Sequence, residues 1–307
     1  MLPCASRSSK ALVQKPLTAH PGARSLRVRL TETKVNIKEK MVPESKWVTA
    51  NGLRLHYLDW GNPEGRPILL LHGLQDCAAL WQTFANAISN RYHVVALDHR
   101  GHGDSSRATS YPISDYVRET ADVIRALGLV DVTLIGHSAG SKNAWMCIVE
   151  NPGIAQQLVI TDMDPDSHNP GSVAMISRYK AEEDVYSSID EVVERLRDRQ
   201  PNASEDETRY AAEVLTTTAA NGGLTWKRSR DVVTKYDRPD VWDMLPRINV
   251  PTLIVRGAES TLLRHDVAID MQAAIPQCRL VEIPGGGHWV HLEQPSAYLA
   301  SVSAFLD

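Results

Sequence analysis

The sequence has few cysteines and no long hydrophobic run. Its cysteines form no C-x-x-C pair and no metal-ligand spacing, so we expect free thiols in a reducing compartment, the cytoplasm, and no disulfide framework. No apolar stretch reaches the roughly 20 residues that a spanning helix needs, so no membrane span is predicted. With 43% hydrophobic and 23% charged residues, the composition is typical of a soluble globular protein.

Charge is distributed unevenly along the chain. The net charge is −4, but residues 1–40 carry nine Lys/Arg and only two acids, which leaves the remaining residues net negative. The main part of the chain therefore gives no reason to expect nucleic-acid binding. The basic, Ser-containing composition of residues 1–40 fits an organellar transit peptide, a disordered extension, or a start that truly lies at Met41. We interpret the segment as dispensable for the fold.

From residue 46 onward the hydrophobic pattern becomes regular. Asn51-Gly52 separates two short strands and indicates a hairpin. Buried-strand patterns at 67–71, 93–97, 130–135, 158–161, 251–255 and 279–283 alternate with helical periods. This pattern predicts a doubly wound, mostly parallel eight-stranded α/β sheet. The core is predicted at 41–164 and 249–307, and the polar, helical segment 165–248, in which we find no convincing buried strand, is predicted to be a lid inserted after strand 6.

A candidate nucleophile lies in the pentapeptide 136–140, GHSAG, which matches G-x-S-x-G between a predicted strand and a predicted helix. The nucleophile of such a motif occupies a strained turn, and side chains at the flanking glycines would collide with neighbouring backbone. The helix that follows points its first N–H groups at developing negative charge. The motif in this context predicts that Ser138 is a nucleophile.

A candidate base follows the last predicted strand. His288 lies in the glycine-rich sequence IPGGGHW, where the backbone is free to aim the imidazole at a neighbouring strand end. It could take the proton of Ser138 and return it to the leaving group. His291 is the alternative base, although its place at the start of the last helix favours packing or capping.

The stretch 98–104 contains two histidines and three charged residues. His99 and His102 have no third metal ligand nearby in sequence, so no metal site is predicted. We expect Asp98, Arg100 and Asp104 to form one buried cluster of ions and hydrogen bonds.

Five motifs in this order give the chain a resemblance to the α/β-hydrolase superfamily: LLLHGLQD, LDHRGHGDSS, LIGHSAGS, PTLIVRGAES and PGGGHWVHLEQP. The resemblance covers about residues 46–307. It implies the order nucleophile, acid, histidine along the chain. It also implies that the backbone N–H groups of Leu74 and Ala139 form an oxyanion hole, with His72 a structural residue of its loop. Ser138 argues against the dehalogenase and epoxide-hydrolase branches, which resemble this pattern with Asp as nucleophile.

The acid departs from the commonest pattern of the superfamily. Most members place Asp three residues after the glycine that ends the seventh strand, and here that residue is Ser260. The resemblance to one esterase branch, in which a serine takes that position and the acid follows the preceding strand, implies Asp162 as the acid with Ser260 in support. Asp164 and Glu259 are the alternative acids, and Asp266 is a more distant one.

The leading hypothesis is a serine hydrolase that cleaves a small carboxylic ester through an acyl-enzyme, with Ser138, His288 and Asp162 as its triad. No metal or organic cofactor is implied, and the oligomeric state is left open. A C–C bond hydrolase of a diketone-like acid is the first alternative; it would need a cation near the nucleophile, for which Lys142 is the candidate. The second alternative is a non-enzymatic ligand receptor on the same fold.

Removal of residues 1–40 is expected to leave stability and activity nearly unchanged, because the segment lacks the periodic apolar residues that dock on a core. Thermal melting of a chain that starts at Met41, compared with the full chain, checks this. A large drop in melting temperature would mean that the segment is structural.

Overall fold

The first half of the structure begins with the predicted hairpin, after which strands and helices alternate. A computed structural model describes residues 41–167 and 169–307, so the predictions for residues 1–40 lie outside the described residues. The elements before the insertion are β1 (Glu44–Ala50), β2 (Leu53–Asp59), β3 (Arg66–Leu71), a 3₁₀ turn (Ala78–Trp81), α1 (Gln82–Ile88), β4 (Tyr92–Leu97), α2 (Ile113–Ala126), β5 (Thr133–His137), α3 (Ala139–Glu150) and β6 (Gln157–Thr161).

The segment after β6 contains both helices and short strands. Its elements are α4 (Pro170–Ala181), β7 (Val185–Tyr186), α5 (Ile189–Arg197), α6 (Glu205–Leu215), β8 (Thr216–Thr218), β9 (Leu224–Trp226), α7 (Asp231–Thr234) and a 3₁₀ helix (Trp242–Arg247). The strands β7, β9 and β8 pair in that order into a small antiparallel sheet. The sequence pattern shows no convincing buried strand in residues 165–248, and these strands of two or three residues are mostly not buried and too short to give a period-2 signal.

The chain then returns to the main sheet through β10 (Thr252–Gly257), α8 (His265–Ala274), β11 (Cys278–Ile283), α9 (Val290–Glu293) and α10 (Pro295–Leu306). The sheet has eight strands in the order β1-β2-β4-β3-β5-β6-β10-β11. Strand β2 runs antiparallel to β1 and β4, and the other neighbours are parallel. The predicted α/β class with a mostly parallel eight-stranded sheet is confirmed.

Strand β3 illustrates why the sheet is covered on both faces. All four of its last residues are fully buried. Ile68 and Leu70 pack with α1 and α10, whereas Leu69 and Leu71 pack with α2, α3 and α8 on the opposite face. A strand with apolar side chains on both faces is stable only between two layers of helices, which is the doubly wound arrangement. Among the described residues, no helix is both long and apolar enough to span a bilayer.

The predicted cluster of Asp98, Arg100 and Asp104 is present only in part, because Arg100 lies outside it. The Asp98 carboxylate accepts hydrogen bonds from the His56 ring at 2.7 Å and from the Ala78 N–H. Arg100 points elsewhere and pairs with the buried carboxylate of Glu119. Asp104 lies at the surface and pairs with Lys227. The N–H of Asp104 also donates to the Asp98 carboxylate at 3.0 Å, so these two residues stay in contact while Arg100 turns toward a different partner.

Candidate active site

Ser138 lies in a sharp turn between β5 and α3. Its backbone has φ 51° and ψ −126°, a conformation that non-glycine residues rarely adopt. A Cβ on Gly140 would lie 2.3 Å from the carbonyl oxygen of Leu71, and one on Gly136 would lie 2.4 Å from the backbone nitrogen of Ser141. The flanking glycines therefore allow α3 to pack directly against the sheet edge, with the serine held in the turn between them.

Three side chains from three strand ends form a hydrogen-bonded chain. The Ser138 hydroxyl lies 3.0 Å from Nε2 of His288, in the loop after β11. The other ring nitrogen, Nδ1, lies 2.7 Å from Oδ2 of Asp162, which follows β6. With an ionised carboxylate at Nδ1, that nitrogen carries the proton, and Nε2 is left to accept the proton of Ser138.

Asp162 is fully buried and held by donors besides the imidazole. The Ser260 hydroxyl donates to Oδ2 at 2.5 Å, and the N–H of Gly257 donates to Oδ1 at 3.3 Å. Ser260 itself accepts the N–H of Leu262 at 3.1 Å, which leaves its proton directed to the carboxylate. Ser260 therefore donates directly to the carboxylate of Asp162. The backbone of Asp162 has a positive φ of 49°.

The alternative acids lie elsewhere. Asp164 is buried but engaged by Arg238, and Glu259 is exposed. Asp266 is exposed and pairs with Arg264. Within the described part of the chain, none of the three exchanges a hydrogen bond with His288. The structure therefore brings together only Asp162 with the histidine.

His291, the alternative base, packs behind the site. Its ring centroid lies 4.6 Å from that of Trp81 and 4.5 Å from that of His137, and the residue is buried. The hydroxyl of Ser138 is bonded to His288 and not to His291. His291 thus occupies a packing position.

A small cavity adjoins the nucleophile. Gly73, Leu74 and Ala139 are among its lining residues, and its volume is about 20 Å³. The N–H of Ala139 is the first of a helix and has no partner within it. The N–H of Leu74 donates to no described residue. His72 fixes this loop, because its Nε2 accepts the N–H of His99 while Nδ1–H donates to the Gly73 carbonyl.

Burial sets the protonation of the histidine and its acid. Burial, followed by the charge of His137, holds the pKa of His288 well below its ordinary 6.5. Burial also raises the pKa of Asp162 to about 7, against the opposing hydrogen bonds from Ser260 and Gly257. Above that pH the pair holds a neutral imidazole beside an ionised carboxylate, which is the state in which Nε2 can accept a proton.

The sequence analysis missed a second pair behind the nucleophile. His137 lies with Nδ1 3.0 Å from the Asp76 carboxylate and Nε2 3.0 Å from the backbone oxygen of His288. Asp76 also accepts the indole N–H of Trp289 at 3.2 Å. These contacts tie the His288 loop to the loop after β3. The only sequence signal was the acid in LLLHGLQD.

Lys142, the cation that the C–C hydrolase alternative requires, is bonded to the inserted segment. Its ammonium group is buried and donates to the backbone oxygen of Pro239 at 3.1 Å. Burial lowers its pKa to about 7. The side chain thus joins α3 to the inserted segment.

Comparison with known proteins agrees with this architecture. The model of the alpha/beta hydrolase family matches residues 68–302. An sn-1-specific diacylglycerol lipase of Mus musculus is 28% identical over 246 residues, covering 78% of this chain and 80% of that protein. A 2-(acetamidomethylene)succinate hydrolase of Mesorhizobium japonicum is 28% identical over 247 residues, covering 79% and 88%.

Among solved structures, the crystal structure of an E-2-(acetamidomethylene)succinate hydrolase is similar to this chain with a TM-score of 0.81 and 27% identity, covering 86% of this chain and 99% of that one. The family match covers most of the chain and includes the strands that carry Ser138, Asp162 and His288. The chain belongs to the alpha/beta hydrolase family.

Proposed function

We propose that this protein is a serine hydrolase that cleaves a carboxylic ester through an acyl-enzyme intermediate. The observation that carries the proposal is the unbroken series of hydrogen bonds from Ser138 through His288 to Asp162. The backbone N–H groups of Leu74 and Ala139, for which the described residues offer no backbone acceptor, add to it. Relatives in the family include an sn-1-specific diacylglycerol lipase and an esterase of Escherichia coli, which supports ester chemistry.

In the proposed mechanism, Ser138 Oγ attacks the ester carbonyl while Nε2 of His288 accepts the hydroxyl proton. The N–H groups of Leu74 and Ala139 stabilise the oxyanion, and Asp162 stabilises the imidazolium at Nδ1. The imidazolium then donates its proton to the leaving alcohol. Water activated by His288 repeats these steps on the acyl-enzyme, which releases the acid and regenerates Ser138.

We assign the acid role to Asp162 on geometry. It is the carboxylate that accepts the Nδ1–H, and the hydrogen bond from Ser260 orients its oxygen toward the ring. Asp164 is neutralised by Arg238, and Glu259 is exposed to solvent. A carboxylate must contact the imidazole to fix its tautomer, and neither alternative does so.

We further propose that residues 165–248 act as a lid on the core formed by 41–164 and 249–307. Apolar side chains of α5 and α6 pack with Leu80 of the first 3₁₀ turn, with Leu292 of α9, and with Trp289, which follows His288. The inserted segment therefore covers the approach to Ser138 and sets which substrates fit.

The C–C hydrolase alternative is disfavoured in its original form, because the Lys142 ammonium group already donates a hydrogen bond to the backbone oxygen of Pro239.

Ser138→Ala is expected to abolish ester turnover while leaving the fold intact, because the hydroxyl is the nucleophile. Loss of a triad nucleophile costs about 10⁴–10⁶ in kcat. Short- and long-chain 4-nitrophenyl esters assayed at about pH 8 measure the effect, with circular dichroism to verify folding. Unchanged turnover in the folded variant would end the assignment, and a folded wild-type chain inactive on all esters would favour the receptor alternative.

Asp162→Asn is expected to lower kcat by about 10²–10⁴, since an amide cannot stabilise the imidazolium and can select the wrong tautomer. Asp164→Asn and Glu259→Gln are the matched controls and should cost far less. All variants are compared at equal folding, with pH–rate profiles that report a misplaced imidazole. If Glu259→Gln strongly lowers kcat and Asp162→Asn leaves it nearly unchanged, the acid lies after β10 instead.

A further inference from the structure

Arg199 is a buried cation that makes no salt bridge with a described residue. It follows α5 in the inserted segment, and only 7% of the residue is exposed. Among residues 41–167 and 169–307, its guanidinium forms no salt bridge, and its Nε is buried without a hydrogen-bond partner. Buried charges in proteins are normally paired, and the described residues supply no partner for this guanidinium.

The side chain lies among aromatic rings that attract a cation but accept no hydrogen bonds from its N–H groups. Its central carbon is 4.9 Å from the ring centre of Trp289, 5.1 Å from that of Tyr179 and 5.8 Å from that of Trp226. Ring faces stabilise and orient a guanidinium, yet leave its five donors free. The rings thus hold the guanidinium in place for a ligand that supplies the hydrogen-bond acceptors.

Arg228 provides a contrast within the same segment. It is equally buried, at 8% exposed, but pairs with the Asp184 carboxylate at 2.9 Å and donates to Gln75 at 3.0 Å. The described residues therefore supply acceptors for Arg228 but none for Arg199.

Arg199 lies close to the proposed reaction centre. Trp289, on which it stacks, directly follows His288, and the two rings have centroids 4.8 Å apart. Asp76 is the nearby carboxylate, but His137 and the Trp289 indole already occupy its oxygens. The ring of Tyr179 lies beside Arg199, and its buried hydroxyl also has no hydrogen-bond partner among residues 41–167 and 169–307. A guanidinium and a hydroxyl are donors that suit a carboxylate.

We infer that Arg199 binds a carboxylate group of the substrate, so that the hydrolase acts on small acyl compounds that carry a free carboxylate away from the reacting carbonyl. The inference rests on the proposed function, because it places the reacting carbonyl at Ser138. A planar guanidinium binds a carboxylate through two parallel hydrogen bonds, which would fix the acyl chain relative to the nucleophile.

The test compares two ethyl esters with acyl chains of equal length, monoethyl glutarate and ethyl pentanoate, by proton release at about pH 8. We expect the wild-type chain to prefer monoethyl glutarate in kcat/KM. Arg199→Gln should lower this preference ratio by about 10²-fold, mainly through KM. Arg199→Lys, which keeps the positive charge but lacks the planar guanidinium, should restore part of the preference ratio. The control Arg197→Gln, at an exposed arginine of α5 paired with Glu205, should leave the ratio unchanged.

An equal loss for both esters in a folded Arg199→Gln chain, or no preference in the wild-type chain, would overturn the inference and leave Arg199 a packing residue. Failure of the proposed function looks different, since the wild-type chain would then hydrolyse neither ester. In that case, calorimetric binding of glutarate decides: weaker binding to Arg199→Gln than to wild type retains the carboxylate site, and equal or absent binding rejects it.

Discussion

The strained turn at Ser138 is the constraint on which the site depends. A non-glycine residue at positive φ costs about 1–3 kcal/mol and persists only where the surrounding structure enforces it. Here β5 is pinned between β3 and β6, and α3 approaches the sheet so closely that Gly136 and Gly140 have no room for a Cβ. The turn lifts the hydroxyl to the carboxyl edge of the sheet, where the neighbouring strands β6 and β10 also end.

That edge explains how residues distant in sequence meet. Asp162 follows β6 and Ser260 follows β10, and the two strands are parallel neighbours, so the hydroxyl can donate to the carboxylate. Strand β11 lies beside β10, and His288 follows its carboxyl end. The His137–Asp76 pair then ties the backbone of His288 to the opposite side of the nucleophile. The imidazole is thus held from two directions, which limits its motion relative to Ser138.

Much of this arrangement could be predicted from the sequence because it is encoded locally. Continuous apolar runs mark the buried parallel strands, and the glycines around Ser138 mark a turn that only they allow. Asp162 is implied by the resemblance to one esterase branch, in which a serine such as Ser260 takes the place of the usual acid. The two residues are 98 positions apart in sequence, yet the parallel pairing of β6 and β10 brings their side-chain oxygens within 2.5 Å.

The missed features depend on tertiary packing. The partners of Asp98, Arg100 and Lys142 are set by loop conformation, which residue type and spacing do not encode. Arg199 looks like any other arginine of a polar helical segment. Only the folded insertion reveals that it is buried among aromatic rings, with no acceptor from the part of the chain that the structure describes.

The central claim is that His288 and Asp162 activate Ser138 as a nucleophile. Labelling of the full chain with a fluorophosphonate, followed by mass spectrometry of the peptides, tests it most directly, because the reagent reacts with an activated serine and needs no knowledge of the substrate. The account predicts one adduct, on Ser138, formed much more slowly in the His288→Ala variant. An adduct on another residue, or equal labelling without the histidine, would contradict it.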